Sequence, residues 1–316
     1  CIRDSRHSLY GFNSTGGTPA QKVSFDRPLG QVTTDPARYD NMLDYEYPMA
    51  RWLESQGYDV SYVTNMDVHD DPFLLLQHNM FMSVGHDEYW SEEMRNNVEQ
   101  ARDSGVNLAF FSANTAYWRV RFEPSGSGAS NRVMVCYKDP ANNDPIAPTY
   151  LWRGPENNRP ENALLGVMYV GDDVNDQYGG YDHIVTNSTD PYYNNTGLNN
   201  GDALSGLVGF EWDAVVNNGY TPPGLVILSQ SIADGPGVVT APEPPGLDPT
   251  ISNAVSYTAA SGARVFSTGS ILWMWGLDST GVQGSRGDPR AQQFTVNVLS
   301  DMGALPYTPD AGLIIP

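Results

Sequence analysis

Between residues 83 and 91 the chain reads Ser-Val-Gly-His-Asp-Glu-Tyr-Trp-Ser, directly after the apolar run Met80-Phe81-Met82. An imidazole, two carboxylates and a phenol in four consecutive positions can move a proton, hold a metal or orient a substrate. Other motifs are poorer. No Gly-x-Ser-x-Gly elbow, P-loop or strand-borne GxGxxG is present, so acyl-enzyme and nucleotide chemistry have no sequence signature. Cys136 sits in Val133-Met134-Val135-Cys136-Tyr137, where a buried inert thiol is expected rather than a nucleophile. The histidines, His7, His69, His78, His86 and His183, show no HxxxH or HxH spacing and give no multi-histidine zinc motif. Asp172-Asp173-Val174-Asn175-Asp176 offers oxygen donors to calcium, but lacks the Gly and closing Glu of an EF-hand loop and reads as a solvated acidic turn. What remains is an excess of tyrosines and carboxylates near strand ends. These are hard anionic donors suited to ferric iron, which lowers the proton affinity of a bound phenol.

Such residues need elements to position them. Pro48 in a first turn, with Met49, Trp52 and Leu53 at helical spacing, predicts a helix from about Tyr47 that stops at Gly57. Strands are predicted at 60–63 and 80–84, with a short helix between them at 72–77. Ser91 is placed to cap a helix carrying Glu92 and Glu93 in its first turn and ending at Gly105; a continuous apolar strand, 106–111, follows. Residues 123–165, 171–205 and 235–249 are rich in turn chemistry and read as insertions, with a short strand at 133–137. Further strands are predicted at 225–228, 254–257 and 264–266. Asp288 and Pro289 then start a last helix, which explains Asp288 of Arg286-Gly287-Asp288 better than an adhesion tripeptide does. Strands alternating with helices predict one α/β domain over residues 1–306 built on a parallel sheet, with residues 307–316 as a tail across the surface. In such sheets sites form beyond the carboxyl ends of the strands, which is where residues 83–91 fall.

Bulk properties narrow the partners. The 316 residues carry 17 basic against 37 acidic side chains, a net charge of -20, so nucleic acid and anionic membrane surfaces are repelled. No apolar run approaches the ~18 residues of a membrane span. Only two lysines, Lys22 and Lys138, and two cysteines, Cys1 and Cys136, occur. This composition suits a secreted or cell-surface protein, with an acidic cytoplasmic enzyme as the other reading. The start at Cys1 reads as a processed or truncated terminus.

Several segments together resemble the C-terminal domain family of the large (β) subunit of N,N-dimethylformamidase. They are 22–28 (KVSFDRP), 47–64 (YPMARWLESQGYDVSYVT), SVGHDEYWS, 159–169 (RPENALLGVMY), 195–213 (NTGLNNGDALSGLVGFEWD), 273–278 (WMWGLD) and 288–303 (DPRAQQFTVNVLSDMG), in order along nearly the whole chain. The resemblance implies a flavodoxin-like, class I glutamine-amidotransferase-like α/β fold. It implies hydrolysis of a small amide by mononuclear iron, Fe(III), held by two tyrosines and a glutamate. Carried over by position, Tyr89, Tyr47 and Glu161 are the metal ligands, with Tyr45 as rival to Tyr47 and Glu211 as rival to Glu161. Glu211 and His86 are then candidates for handling the proton, and Asn187 for orienting the substrate carbonyl. For His86 a loop-fixing hydrogen bond is the competing role, and Asp87 and Glu88 become loop-fixing groups. Arg159 stands where the family carries a histidine, and the strand that family members place upstream of the SLYGFN-like segment is missing. The formamidase's lectin-like domain and small partner subunit have no counterpart in the sequence.

Two functions follow. The first is an iron-dependent hydrolase acting on a small-molecule amide or related C–N bond. The second is a non-catalytic secreted module that assembles into a homo-oligomer or larger extracellular assembly by strand addition. The first predicts iron and a tyrosinate colour; the second predicts assembly indifferent to Tyr89.

Overall fold

The computed structural model describes residues 8–11, 14–26, 45–139, 143–175, 179–242, 244–279 and 286–316. Cys1, His7 and Asp176 lie outside them. In chain order the described elements are β1 (Lys22–Ser24), α1 (Glu46–Ser55), α2 (Asn65–Asp70), β2 (Met80–His86), β3 (Tyr89–Ser91), α3 (Glu92–Asp103), β4 (Asn107–Ala113), β5 (Trp118–Glu123) and β6 (Val133–Val135). They continue with α4 (Asn162–Leu165), β7 (Met168–Asp173), β8 (Tyr181–Ile184), β9 (Ala203–Val208), β10 (Glu211–Ala214), β11 (Val226–Ile232), β12 (Val238–Thr240), β13 (Ile251–Thr258), β14 (Arg264–Ser267) and α5 (Pro289–Asp301).

These strands form four sheets, ordered β11-β13-β14-β4-β2, β1-β6-β5-β3, β10-β7-β12 and β8-β9. The expected flavodoxin-like, helix-flanked parallel sheet is therefore corrected: the chain is mostly β, in mixed and antiparallel sheets, with few helices. Among the described residues, parallel pairing is confined to β2 with β4, β4 with β14, and β3 with β5. The reason lies in the connections. A parallel pair needs a crossover of a dozen or more residues, as α3 supplies between β2 and β4, whereas short returns join β5 to β6 and β13 to β14 as antiparallel neighbours, and β7 takes its antiparallel partners β10 and β12 from distant parts of the chain.

The central strand β4 is buried throughout Leu108–Ala113, as its unbroken apolar run predicts. Its alternate residues feed two cores. Ala109, Phe111 and Ala113 join Met49 and Trp52 of α1 and Phe294 and Val298 of α5. Leu108 and Phe110 join Val68 of α2 and Met94, Val98 and Ala101 of α3. α1, α3 and α5 stand where their caps and periodicity predict, with Ser91 Oγ accepting from the Met94 amide at 3.1 Å and Asp288 Oδ1 from the Arg290 amide at 2.8 Å. Residues 60–63 form no strand. Thr64 and Asp67 instead close a capping box that starts α2, and residues 72–77 hold only a 3-10 turn, Leu75–Gln77. The last ten residues do not wander: the Tyr307 and Thr308 amides bond to the Gly57 and Gln56 carbonyls, and the Ile314 amide to the Gln293 side chain. Among the described residues, no helix is long and apolar enough to cross a membrane.

Candidate functional site

The carboxyl ends of the parallel strands β2 and β4 open onto one cluster. Gly85 turns the end of β2 at φ +75, and a Cβ there would meet Tyr45 Cβ at 2.9 Å and Glu46 Oε1 at 3.4 Å, so glycine lets the start of α1 close over the strand. His86 follows, with its side chain 27% exposed and its Nε2 2.6 Å from Glu211 Oε2 and 3.7 Å from Glu88 Oε2. Asn114, just past β4, takes φ +51, a left-handed conformation that asparagine tolerates better than most side chains. It fixes β10: its amide donates to Asp213 Oδ1 at 2.8 Å and its Nδ2 to Glu211 Oε2 at 3.1 Å. Asn114 Oδ1 and the Tyr117 hydroxyl are buried with no hydrogen-bond partner among the described residues, which leaves an acceptor and a donor beside the carboxylates. Complete burial, with Glu161 and Glu211 nearby, pushes the Asp213 carboxyl up to about 7.

Asp87 fixes the loop as expected. Its carboxylate accepts from Ser83 Oγ at 2.8 Å and Asn65 Nδ2 at 3.0 Å, and its carbonyl from the Ala116 amide. Glu88 does more than fix the loop. Tyr10 donates its hydroxyl to Glu88 Oε1, and the Lys138 Nζ lies 3.6 Å from that oxygen. Burial alone would raise the Glu88 carboxyl, but the Lys138 and His86 charges outweigh it and hold the group below its usual range. Lys138 Nζ donates to the Tyr89 hydroxyl oxygen at 2.6 Å and stands over the rings of Tyr10, Trp118 and Tyr89 at 3.1, 4.5 and 4.7 Å. Burial, and then the Glu88 charge, raise the Tyr89 phenol well above its ordinary range, while burial draws the Lys138 ammonium below its own.

The three ligands expected for iron are placed apart in function. Tyr89 has the Lys138 ammonium on its oxygen. Glu161, 1% exposed, lies in a guanidinium fork: Arg153 Nε reaches its two oxygens at 3.0 and 3.1 Å and Arg153 Nη2 reaches Oε1 at 2.8 Å. Tyr47, in the first turn of α1, is 40% exposed. No hydrogen bond or ion pair joins any two of them. Tyr45, the rival, is buried and stacked on Trp275 at 6.0 Å, on the α1 side of Gly85. Arranged this way, the three residues do not fit a shared ferric ion, because each buried donor already serves a cationic side chain. Among the described residues no group of three or more His, Cys, Asp and Glu is arranged to hold a metal. For the calcium reading, Asp173 Oδ2 accepts from the Tyr181 hydroxyl and Asp173 Oδ1 from the Asn175 amide at 2.9 Å, while Asp176 is outside the described residues. Asn187 sits in a turn against β11, its amide bonded to the Leu228 carbonyl and its Oδ1 to Thr189 Oγ1; no hydrogen bond links it to the cluster. Arg159 is used structurally, bonded to Glu99 and Asn96 and lying over Trp152.

Sequence reasoning passed over Tyr10, Asn114, Lys138 and Arg153. Asn114 had a usable signal, since it follows an apolar strand at the same sheet edge as His86. Lys138 had another, as one of two lysines in the chain. No curated protein matches the sequence. The family described as N,N-dimethylformamidase beta subunit-like, C-terminal, matches residues 5–287, in keeping with the resemblance carried by the ordered segments. On that match over most of its length, the chain belongs to the N,N-dimethylformamidase beta subunit-like, C-terminal family.

Proposed function

We propose that the protein hydrolyses an amide or related C–N bond of a small molecule at the strand-end cluster of His86, Glu88, Glu211 and Asn114. The observation that carries this reading is the His86–Glu211 contact of 2.6 Å on a partly exposed imidazole at the end of a parallel strand. Membership of the formamidase-related family supports the reaction class.

The chemistry asked of these residues is proton transfer. Water adds to the amide carbon while the His86–Glu211 pair takes its proton; the C–N bond then breaks as the proton passes to the departing amine, leaving a carboxylic acid. The imidazolium formed in between lies near two carboxylates, Glu211 at 2.6 Å and Glu88 at 3.7 Å, which lower the cost of its charge. Asn114 keeps Glu211 in place. Tyr117, whose phenol burial holds above its ordinary range, keeps a buried O–H with no hydrogen-bond partner among the described residues. Iron held by Tyr47, Tyr89 and Glu161 has no part in these steps.

The test is release of amine from N,N-dimethylformamide and a series of small linear amides. Glu211→Gln and His86→Asn should each lower the rate about 10²–10⁴-fold while leaving the unfolding midpoint close to that of the unsubstituted chain. Equal turnover by all three proteins, or none by the unsubstituted chain across the series, would overturn the proposal.

A further inference from the structure

Lys138 is hard to account for as a chance surface charge. Its side chain is only 8% exposed, and its ammonium meets several groups that favour a cation. The Tyr89 hydroxyl oxygen accepts from it at 2.6 Å, the Glu88 carboxylate lies at 3.6 Å, and the Tyr10 ring face lies at 3.1 Å, with the Trp118 and Tyr89 rings at 4.5 and 4.7 Å. The oxygens are tied to each other as well: Tyr10 donates to Glu88, and Trp118 Nε1 donates to the Tyr10 hydroxyl oxygen at 3.2 Å. The face of one phenol ring, one carboxylate and the oxygen of a second phenol thus meet at one point, from the segment before β1, from the loop between β2 and β3, and from β3 itself. A built-in ammonium occupies that point.

We propose that Lys138 is the resident cation of a site made by the Glu88 and Tyr89 oxygens and the ring of Tyr10, whose hydroxyl holds Glu88 in place. Phenol and carboxylate are the hard oxygen donors that a trivalent ion would seek, and a lysine ammonium supplies the same sign of charge without leaving the chain. An ion could enter only by displacing a tethered ammonium that already donates to the Tyr89 oxygen and stacks on three aromatic faces. The chain therefore holds its phenol–carboxylate cluster together without taking up iron there. The inference stands apart from the hydrolytic reading, because it is tested by ion uptake and not by turnover.

The experiment incubates the full chain with ferric nitrilotriacetate, removes unbound metal by gel filtration, and records iron content and the visible spectrum. The unsubstituted chain should emerge without a tyrosinate-to-iron absorption band. Lys138→Ala empties the point of convergence; it should retain about one iron per chain and show the band, and Tyr89→Phe added to Lys138→Ala should remove it. In the absence of iron, millimolar ethylammonium should raise the unfolding temperature of Lys138→Ala, where ethanol at the same concentration should not, because the vacated position favours a cation. Two results overturn the proposal: a band in the unsubstituted chain that Tyr89→Phe abolishes, or a folded Lys138→Ala that takes up neither iron nor ethylammonium. If Lys138→Ala does not fold, the unsubstituted chain decides: absence of the band upholds the proposal and its presence overturns it.

Discussion

At the residue scale the cluster is a problem in placing charge where water is scarce. Arg153 and Glu161 show this most clearly, since their side chains are 3% and 1% exposed. Each offsets the other's desolvation, and a further Arg153 donor is spent on the Tyr169 carbonyl at 2.8 Å. Such a pair contributes little net stability against apolar replacements of the same volume, yet removing one partner strands a buried charge. Arg153→Met should therefore destabilise the protein by about 3–5 kcal/mol in denaturant unfolding, and adding Glu161→Gln to Arg153→Met should recover much of that loss. A loss for Arg153→Met within about 0.5 kcal/mol of zero would show that the fork carries no buried charge. The same accounting sets the exposed Tyr47 and the guanidinium-clamped Glu161 apart from Tyr89, whose oxygen holds the Lys138 ammonium.

At the element scale, the caps decide where the site loop ends and its supporting helix begins. Ser91 closes β3 and opens α3, accepting from the Met94 amide at 3.1 Å and meeting His69 Nδ1 at 2.8 Å. Ser91→Ala should cost about 1 kcal/mol by urea titration, with an unchanged dependence on urea, because one helix amide loses its acceptor while the core stays packed. A cost below about 0.2 kcal/mol would argue that the cap is idle. Elements with such local signals were legible in the sequence: α1, α3 and α5 from caps and periodicity, β2 and β4 from apolar runs, and β11, β13 and β14 from β-branched ones. Strands β5, β7, β8, β9, β10 and β12 were not. Apart from β5 they carry Gly, Asp or Asn within or beside them, and pairing is settled by distant partners, as when Glu211 and Trp212 face Asp172 and Gly171 across β7. The site divided in the same way. His86 and Tyr89 were visible because they share one strand-end loop, and Glu211 entered through the family resemblance. Lys138 reaches Tyr89 across 49 positions of chain and Tyr10 reaches Glu88 across 78, and although the rarity of lysine singles out Lys138, no short-range pattern joins either pair.

At the scale of the whole molecule, the excess of acid sets how stability responds to its surroundings. With a net charge of -20, the folded state concentrates like charges that salt screens over a Debye length of about 10 Å at 0.1 M, so raising sodium chloride from ~10 to ~150 mM should raise the unfolding temperature. A fall would mean that attractive pairs outweigh the repulsion. Lowering the pH toward the isoelectric point near 4.3 also relieves that repulsion, and it masks an opposing effect inside the core. His183 on β8 is fully enclosed, packed edge-on against Trp273 at 5.1 Å and Phe294 at 6.3 Å, and burial drives its ring down to about 3. In the unfolded chain it titrates near 6.5. Between these values the unfolded state binds a proton that the folded state refuses, so His183 removes stability as pH falls through about 6.5 toward 3, by up to about 1.4 kcal/mol per pH unit. His183→Phe keeps the aromatic packing, leaves Tyr193 its bond to the Leu228 carbonyl, and has nothing to titrate. Surface repulsion and the other carboxylates act alike on both proteins and cancel in their difference. The stability of the unsubstituted chain minus that of His183→Phe should be level above about pH 7 and fall steadily from about pH 6 to about pH 4 in guanidinium unfolding; a difference that stays level through that interval would place the ring's proton within reach of solvent.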